Sequence, residues 1–591
     1  MKMWKNMRRR LWIIGLMMCS IPSVLAGNPP FFTTGIAISP KGELLMTQKG
    51  TKRLDVYSAD GKTLVRSYPF GTTPTGILSD GDKAYVTTFE RSGQLEVLSL
   101  ASGQVKASIP TGSGACYPIF SPDKKYIYVC NQFANTISEI DPAKSKVVRS
   151  VKVLREPRSA VFSKDGKYLF VANFLPAQRA NVDIVSACIS VIEMRNFTKV
   201  KDIPLANGSN ALHGICITPD GKYIYVSHNL GRFMVPTSQL HQGWMNTSAF
   251  SVIDVNKQTF EGAVLLDEPD RGAAGVWSIA CDEKNIYVTH SGTHEVSLIN
   301  HPDMLKKFES YRDKSRLDYD LNFLYGLRQR IHLQGNGPRH FVLSKNRLII
   351  PTYFADVLNI VDVTSRKVTA VEMNAGRSET KEQKGEKYFN DAAHCYQGWQ
   401  SCNGCHPGDA RTDGMNWDLM NDGVGNPKNC KSLLHSHVTP PNMISGIRAN
   451  AEIAVRAGFK YIQFYEPEEE MAECVDAYMK SLRPVPSPYL VNGEFSEKAK
   501  AGRAIFDKLK CGECHSGPYY TDLKMHRIGA DIEFDKGWDT PTLIESWRTA
   551  PYLFDGRAAT MQDVFEQHKH GIDRKVSKKE IEALTEYVNS L

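Results

Sequence analysis

One unit recurs seven times between about residues 33 and 373, and this repetition constrains the fold more than any other feature. Each copy has a short strand, a turn of the type SPDGK, a strand rich in β-branched and aromatic residues, a polar turn and a further strand. The copies begin at Ile36 (IAISPKGELLMT), Gly76 (the degenerate GILSDGDKAYVTT), Pro118 (PIFSPDKKYIYVCN), Ala160 (AVFSKDGKYLFVAN), Cys216 (CITPDGKYIYVSHN), Ser278 (SIACDEKNIYVTH) and His340 (HFVLSKNRLIIPT). Alternating runs such as TISEIDP at Thr136 and FSVIDV at Phe250 follow them, so each unit supplies about four short strands, one blade of a propeller. Seven blades closed into a ring leave no long exposed sheet edge. A two-sheet sandwich has no need of seven similar units.

The Asp-Gly turns and the aromatic YIYV strands resemble those of the YVTN-repeat, YncE-like seven-bladed propellers, a resemblance that covers most of residues 33 to 373. Two segments interrupt the period, residues 232 to 247 and a charged, helix-compatible stretch from Met304 to Tyr325, and both are expected to decorate the ring. Arg158, His213 and His340 begin first strands near one face, where polar turn residues are ordinary.

After Gly376 the sequence becomes charged and helix-compatible, opening with RSETKEQKGEKYF. A proline-rich break between Ser481 and Glu494 divides the remainder into two lobes of cytochrome size. The expected organisation is an export signal over 1–26, an all-β seven-bladed propeller over 27–375, and a mostly α-helical tandem cytochrome c-type dihaem domain. Its lobes span 376–486 and 487–591.

The first 26 residues join a basic start to an apolar run from Leu11 to Met18 and small residues ending in Ala26, the pattern of an export signal. That run is shorter than the roughly 20 residues that span a bilayer, so no transmembrane segment is expected in the mature chain, and a periplasmic or otherwise exported location is. The formal charge of +8 includes Lys2, Lys5, Arg8, Arg9 and Arg10; without these five cations it is +3, which gives no basic face for nucleic acid. Of 13 cysteines, eight (Cys116, Cys130, Cys188, Cys216, Cys281, Cys395, Cys430 and Cys474) fall outside both the signal and the motifs below, with their pairing open.

Two motifs carry the chemistry. CNGCH (402–406) and CGECH (511–515) have the spacing by which Cys402/Cys405 and Cys511/Cys514 attach haem while His406 and His515 reach the iron. Zinc-binding Cys pairs lie roughly 15–20 residues apart, whereas these motifs are 109 apart. The lobes also repeat one another. CHPGDARTD from Cys405 matches CHSGPYYTD from Cys514 at an offset of 109, and NCKSLLHSHVTPPNMISG from Asn429 matches DTPTLIESWRTAPYLFDG from Asp539 at 110. Each lobe opens on a GxxxF pattern, Gly385 to Phe389 and Gly502 to Phe506.

The segment DTPTLIESWRTAPYLFDGRAATMQDV is similar to a signature of bacterial dihaem cytochrome c peroxidases and their MauG-like relatives, over roughly residues 380 to 591. In that family the first haem reacts with peroxide and the second relays electrons. The resemblance implies a distal ligand to the second haem twelve residues after Gly556, at His568, with Met561, His570 and His526 as fallbacks. The matching position after Gly446 is Gly458, which ligates nothing, so the His406 site is expected to be open. His435 and His437 are possible resting ligands there. Six residues after Gly446 stands Glu452, where the family's acid-base glutamate would move a peroxide proton; its second-lobe counterpart is Gln562. Asn442 stands where the family has Gln, and Phe554 breaks the usual His-Asp-Gly. Trp417, Trp538 and Trp547 are candidates for an inter-haem tryptophan, each with core packing as the ordinary alternative.

The resemblance therefore implies an oxidoreductase that reduces hydrogen peroxide using two covalent haems, with Ca2+ between the lobes as an optional further cofactor. A small redox protein or a quinol-linked donor would supply electrons, and the propeller would be a docking platform for a protein partner. The alternatives are a MauG-like oxidase acting on a partner protein and a non-enzymatic electron carrier or sensor.

Overall fold

The computed structural model describes residues 27–233, 245–419, 427–528 and 535–591. Residues 1–26, where an export signal is expected, and 234–244 of the first interruption lie outside the described residues.

Residues 33–372 form seven antiparallel sheets, each of them a blade. Blade 1 runs through Thr33–Ile38, Leu44–Gln48, Arg53–Tyr57 and Leu64–Pro69, paired in chain order, and blade 7 through Val342–Ser344, Arg347–Pro351, Val357–Asp362 and Val368–Glu372. All seven sequence copies open a blade, so the propeller reading holds. The repeated turn has a local cause. In blade 3 the Asp123 carboxylate accepts from Ser121 Oγ (2.6 Å) and from the Lys125 amide (3.2 Å), while the Tyr126 amide donates to Ser121 Oγ (3.0 Å). Ser163/Asp165 and Thr218/Asp220 repeat these bonds in blades 4 and 5. The side chains thus take over backbone groups that the tight reversal would leave unpaired.

Second strands such as Ile127–Asn131 are buried at every residue, whereas fourth strands such as Lys146–Lys152 alternate between exposed and half-buried. The inner strands are covered on both faces by neighbouring blades, and their sequences therefore carry unbroken apolar runs such as IYVC in blade 3 rather than alternating. The charged interruption after Asn300 forms the helix His301–Ser310 and a 3-10 turn at Lys314–Tyr319; Met304, Phe308, Leu317 and Phe323 pack with Phe250 and Val264 in the groove between blades 5 and 6.

The ring closes without exchanging a strand. Ile36, Leu44, Met46 and Tyr57 of blade 1 pack on Ile349 and Leu358 of blade 7. Beside them the buried Asp356 carboxylate accepts from the Phe31 amide (3.0 and 3.1 Å) and from Asn374 Nδ2 (2.8 Å). Asp356→Ala should strand these donors and lower stability by about 1–3 kcal/mol, measured by denaturant unfolding, with proteolysis near residue 30 rising in parallel.

The region beyond 376 is framed by helices rather than filled by them, which corrects the expectation of a mostly α-helical domain. Helices Lys381–Asn390 and Glu469–Ser481 cross in the first lobe, and Glu497–Lys508 and Lys578–Asn589 cross in the second. Between them run long irregular segments and the two-stranded ribbons Asn416–Trp417/Lys428–Asn429 and Met525–His526/Trp538–Asp539. Turn-forming Gly, Pro, Asn and Asp break any longer helix there. The duplication is exact in its packing: a Cβ on Gly385 would lie 1.9 Å from the Cys474 carbonyl oxygen, and one on Gly502 would lie 1.9 Å from that of Ala583. Phe389–Tyr478 and Phe506–Tyr587 are both ring pairs at 5.4 Å.

A pseudo-two-fold axis relates the lobes. The Asn429 amide donates to the Phe554 carbonyl (2.7 Å) and the Asp539 amide to the Ile444 carbonyl (2.9 Å), and these four residues exchange under the offset of 110. Such reciprocal pairing is the signature of an isologous interface.

Candidate functional site

Both Cys-x-x-Cys-His loops are short 3-10 turns, Cys402–Gly404 and Cys511–Glu513, that present their histidines in the same way. His406 Nδ1 pairs with the Arg411 carbonyl (3.0 Å), and His515 Nδ1 with the Tyr520 carbonyl (3.1 Å), five residues on in each case. A carbonyl can only accept, so Nδ1 carries the proton and the Nε2 lone pair is left for a metal. Burial depresses both imidazole pKa values, which favours the neutral, ligating form. The Cys402 and Cys405 thiols meet Gln463 Nε2 (3.0 Å) and Asn246 Nδ2 (3.3 Å). Asn246 belongs to blade 5, so the first motif is seated directly on the propeller. The side chains present fit two covalently attached haems.

The two histidines differ in what opposes them. The ring brought to His515 is that of His570, with centroids 6.3 Å apart and planes at 51°. At metal–nitrogen bonds of about 2 Å, two imidazoles on opposite sides of one metal place their centres roughly 6 Å apart. Burial, and then the neighbouring His515, lowers the His570 pKa to about 4. His568, reached by counting from Gly556, makes no ring contact with His515 among the described residues, and its buried Nε2 has no hydrogen-bond partner. The cause is local: the helix Met561–Glu566 ends, Lys569 takes a left-handed φ of 50°, and the reversal turns the next residue inward. Met561 packs in the lobe core, and His526 bonds Asp522 (2.8 Å). No ring opposes His406 among the described ring contacts.

In the first lobe, Glu452 occupies the first turn of the helix Ala451–Ile462, where Asn450 caps the Ile453 amide. Its carboxylate pairs with Lys480 Nζ (2.9 Å), the main reason its pKa lies below the ordinary range. Both line an open cleft of about 500 Å³ with Lys381, Asn450, Arg456 and Asp476. His437 Nε2 meets Asp476 (2.9 Å), which also takes Arg456 (2.5 Å). Asn442 is not part of this group: its Nδ2 donates to the Ser436 carbonyl (3.1 Å). His435 faces Tyr519 of the other lobe, with rings 5.0 Å apart. Trp417 donates to Asp413 (2.8 Å), Trp538 stacks on Phe554 (4.2 Å) at the seam between lobes, and Trp547 meets Phe133 of blade 3 (5.7 Å). Among the described residues no group of three or more His, Cys, Asp or Glu is gathered that could hold a metal ion.

Two features escaped the sequence reading. Asp413, within the matched CHPGDARTD, is buried beside the first motif, and burial raises its carboxyl to about 7. The other is a buried ion network joining lobes and propeller. Arg411 grips Glu545 through Nε (2.8 Å) and a terminal nitrogen (2.9 Å), and Arg548 reaches Glu545 (3.4 Å) and Glu156 of the propeller (3.1 Å). Burial alone would push Glu156 up, but Arg548, Arg158 and Arg155 outweigh it and hold the carboxyl below its usual range. The only sequence signal was the divergence of matched positions, since Glu545 stands where the first lobe has His435.

A family model for the cytochrome D1 heme domain matches residues 79–204, within blades 2 to 4. Hydrazine synthase subunit gamma of Kuenenia stuttgartiensis is 26% identical over 271 residues, covering 35% of this chain and 76% of that subunit. Hydrazine synthase subunit beta of the same organism is 26% identical over 188 residues, covering 31% of this chain and 47% of the subunit. The chain thus spans about half the length of the beta subunit. A solved structure of K. stuttgartiensis hydrazine synthase has the same fold over 60% of this chain and 99% of that chain, at a TM-score of 0.51 and 22% identity. No helix among the described residues is long and apolar enough to cross a membrane.

Proposed function

We propose that this chain is a haem-dependent oxidoreductase in which a seven-bladed propeller carries two c-type haem lobes of unequal coordination. The carrying observation is the asymmetry between His515, opposed by His570 at 6.3 Å, and His406, which no described ring opposes. Cys402, Cys405 and His406 would hold one haem; Cys511, Cys514, His515 and His570 would hold the other. When bound, haem supplies one-electron redox chemistry and, where its axial position is open, a place for a small ligand. The chain's own residues would divide the work. His515 and His570 would together hold one haem, as suits an electron relay, and His406 would hold the other with room for a small ligand. Glu452, ionised beside Lys480, can take a proton at its carboxylate, and the His437–Asp476 pair offers a second proton-carrying group at the same cleft.

Hydrogen peroxide is the substrate this arrangement favours, with reducing equivalents from a small redox protein or a quinol-linked donor. A second reading, redox chemistry of small nitrogen compounds, draws support from likeness to both the gamma and the beta subunits of hydrazine synthase. Peroxide turnover separates the two. Glu452→Ala is expected to lose roughly 10²–10⁴-fold in turnover, and unchanged turnover would remove its proton-transfer role. For the closed site, His570→Ala should convert a low-spin ferric signal to high spin while His568→Ala leaves it low spin; the opposite pattern would assign the ligand to His568.

A further inference from the structure

Five blades meet around one end of the ring. His213 of blade 5 stacks on Trp277 of blade 6 (3.7 Å, 20°), and Trp277 meets His340 of blade 7 edge-on (6.4 Å). The Arg339 guanidinium lies over Trp277 (4.2 Å) and Tyr353 (3.8 Å), and Lys49, just past the second strand of blade 1, reaches the Tyr353 hydroxyl (3.2 Å). Arg158 of blade 4 covers Phe174 (3.6 Å), which meets His213 (5.2 Å). Side chains from so many blades can touch only at the axial mouth. The first lobe roofs it: a Cβ on Gly408 would lie 3.6 Å from an Arg158 terminal nitrogen.

Three cations in this mouth make no direct ion pair. Among the described residues, neither Lys49 nor Arg158 nor Arg339 has a carboxylate oxygen within 4.0 Å, and the Arg158 Nε is buried without a hydrogen-bond partner. Their neighbours Arg411 and Arg548 are both matched by carboxylates. Lys49 and Arg158 are surrounded by protein, yet all three cations keep part of their surface accessible, as groups lining an internal space would. Three carboxylates face these cations at longer range: Glu386 from the roof, which accepts from the Tyr353 hydroxyl (3.3 Å), Glu156 beside Arg158, and Asp409, held at about 2 because Lys49, Arg548 and Arg158 outweigh its burial. With Arg155, Arg411 and Arg548 counted, six cations stand against the four carboxylates Glu156, Glu386, Asp409 and Glu545, which leaves the region net positive. Aromatic faces attract a cation but leave its charge uncancelled, and a buried charge without a partner is costly.

We propose that the roofed axial mouth of the propeller binds a small oxyanion or carboxylate between Arg158, Arg339 and Lys49. The guanidinium planes, held flat by aromatic rings, suit paired donation to such a group. The anion could be a free oxyanion or a carboxylate of a resident haem; the second source rests on the function proposed above.

Selenate separates these outcomes, since it carries an anomalous scatterer. In the full-length holoprotein, selenate should raise the unfolding temperature above that in chloride at equal ionic strength, and soaked crystals should show selenium between Arg158 and Arg339. Arg158→Gln and Arg339→Gln should each weaken selenate binding at least tenfold, while the charge-retaining Arg158→Lys weakens it less. A haem carboxylate seen in that position without selenium would support the resident source, and both Gln variants should then shift the reduction midpoint. The proposal is overturned if selenate acts as chloride does and wild-type crystals show only water between the cations. The absorbance spectrum reports independently on haem, so loss of the haem reading would leave the selenate outcome interpretable.

Discussion

Arg548→Met is expected to destabilise the protein by about 3–5 kcal/mol and to free the lobes from the propeller. Arg548 is only 4% exposed and lies between Glu156, 3% exposed, and Glu545, which is fully buried. Removing the guanidinium leaves Glu156 with the Gln132 Nε2 hydrogen bond (2.6 Å) and with Arg155 and Arg158, neither of which makes an ion pair with it, while Glu545 keeps Arg411. The Gly408 carbonyl also loses its donor at 3.0 Å. Denaturant unfolding would measure the loss, and limited proteolysis between residues 376 and 390 would report the release. The pH dependence has a definite sign. Because the folded-state pKa of Glu156 is depressed, its contribution is present above its unfolded value near 4.5 and is lost as pH falls through the lower folded value. The methionine variant should lose less stability than wild type over that acid range. Equal stability of the two proteins at neutral pH would show that the network contributes nothing net.

Gly502→Ala, and independently Gly385→Ala, should cost roughly 1–3 kcal/mol each. In each lobe the added methyl would stand 1.9 Å from a carbonyl oxygen of the opposing helix. That oxygen belongs to backbone and cannot rotate away, so the helices must part and the Phe506–Tyr587 or Phe389–Tyr478 contact must loosen. Both variants should lower the unfolding temperature, and Gly502→Ala should also broaden the low-spin signal expected of the His515/His570 site. Wild-type stability in either variant would mean that the crossing is looser than the packing implies.

The propeller was legible because its information is local. Ser163, Asp165 and Tyr168 satisfy one turn among themselves, so each copy announces itself within about a dozen residues. The two Cys-x-x-Cys-His loops were equally plain. What the sequence hid depends on distance or handedness. Glu156, Arg411, Glu545 and Arg548 are ordinary charges until folding brings residues 392 apart into contact. Counting from Gly556 reaches His568, but it cannot register the left-handed Lys569 that turns His570 inward. The reciprocal bonds at Asn429 and Asp539 were foreshadowed by the offset of 110, although an offset alone does not say that the copies face each other.

The seam between blades 1 and 7 also bears on how the molecule assembles. Every other joint in the ring links blades that are consecutive along the chain, whereas this one joins residues 325 apart, as Phe31 and Asp356 are. Loop closure over such a span must await most of the intervening sequence, and contacts of this range slow folding. Ring closure is therefore a late event, and the apolar faces of the first and last blades stay open until then. The lobes rest on blades 6 and 7 through His294–Asp391 and Tyr353–Glu386, but also on Arg155, Glu156 and Asn246 of blades 4 and 5, far from the seam. The lobes can begin to dock on the middle of an open ring, and their docking would bias the arc toward closing.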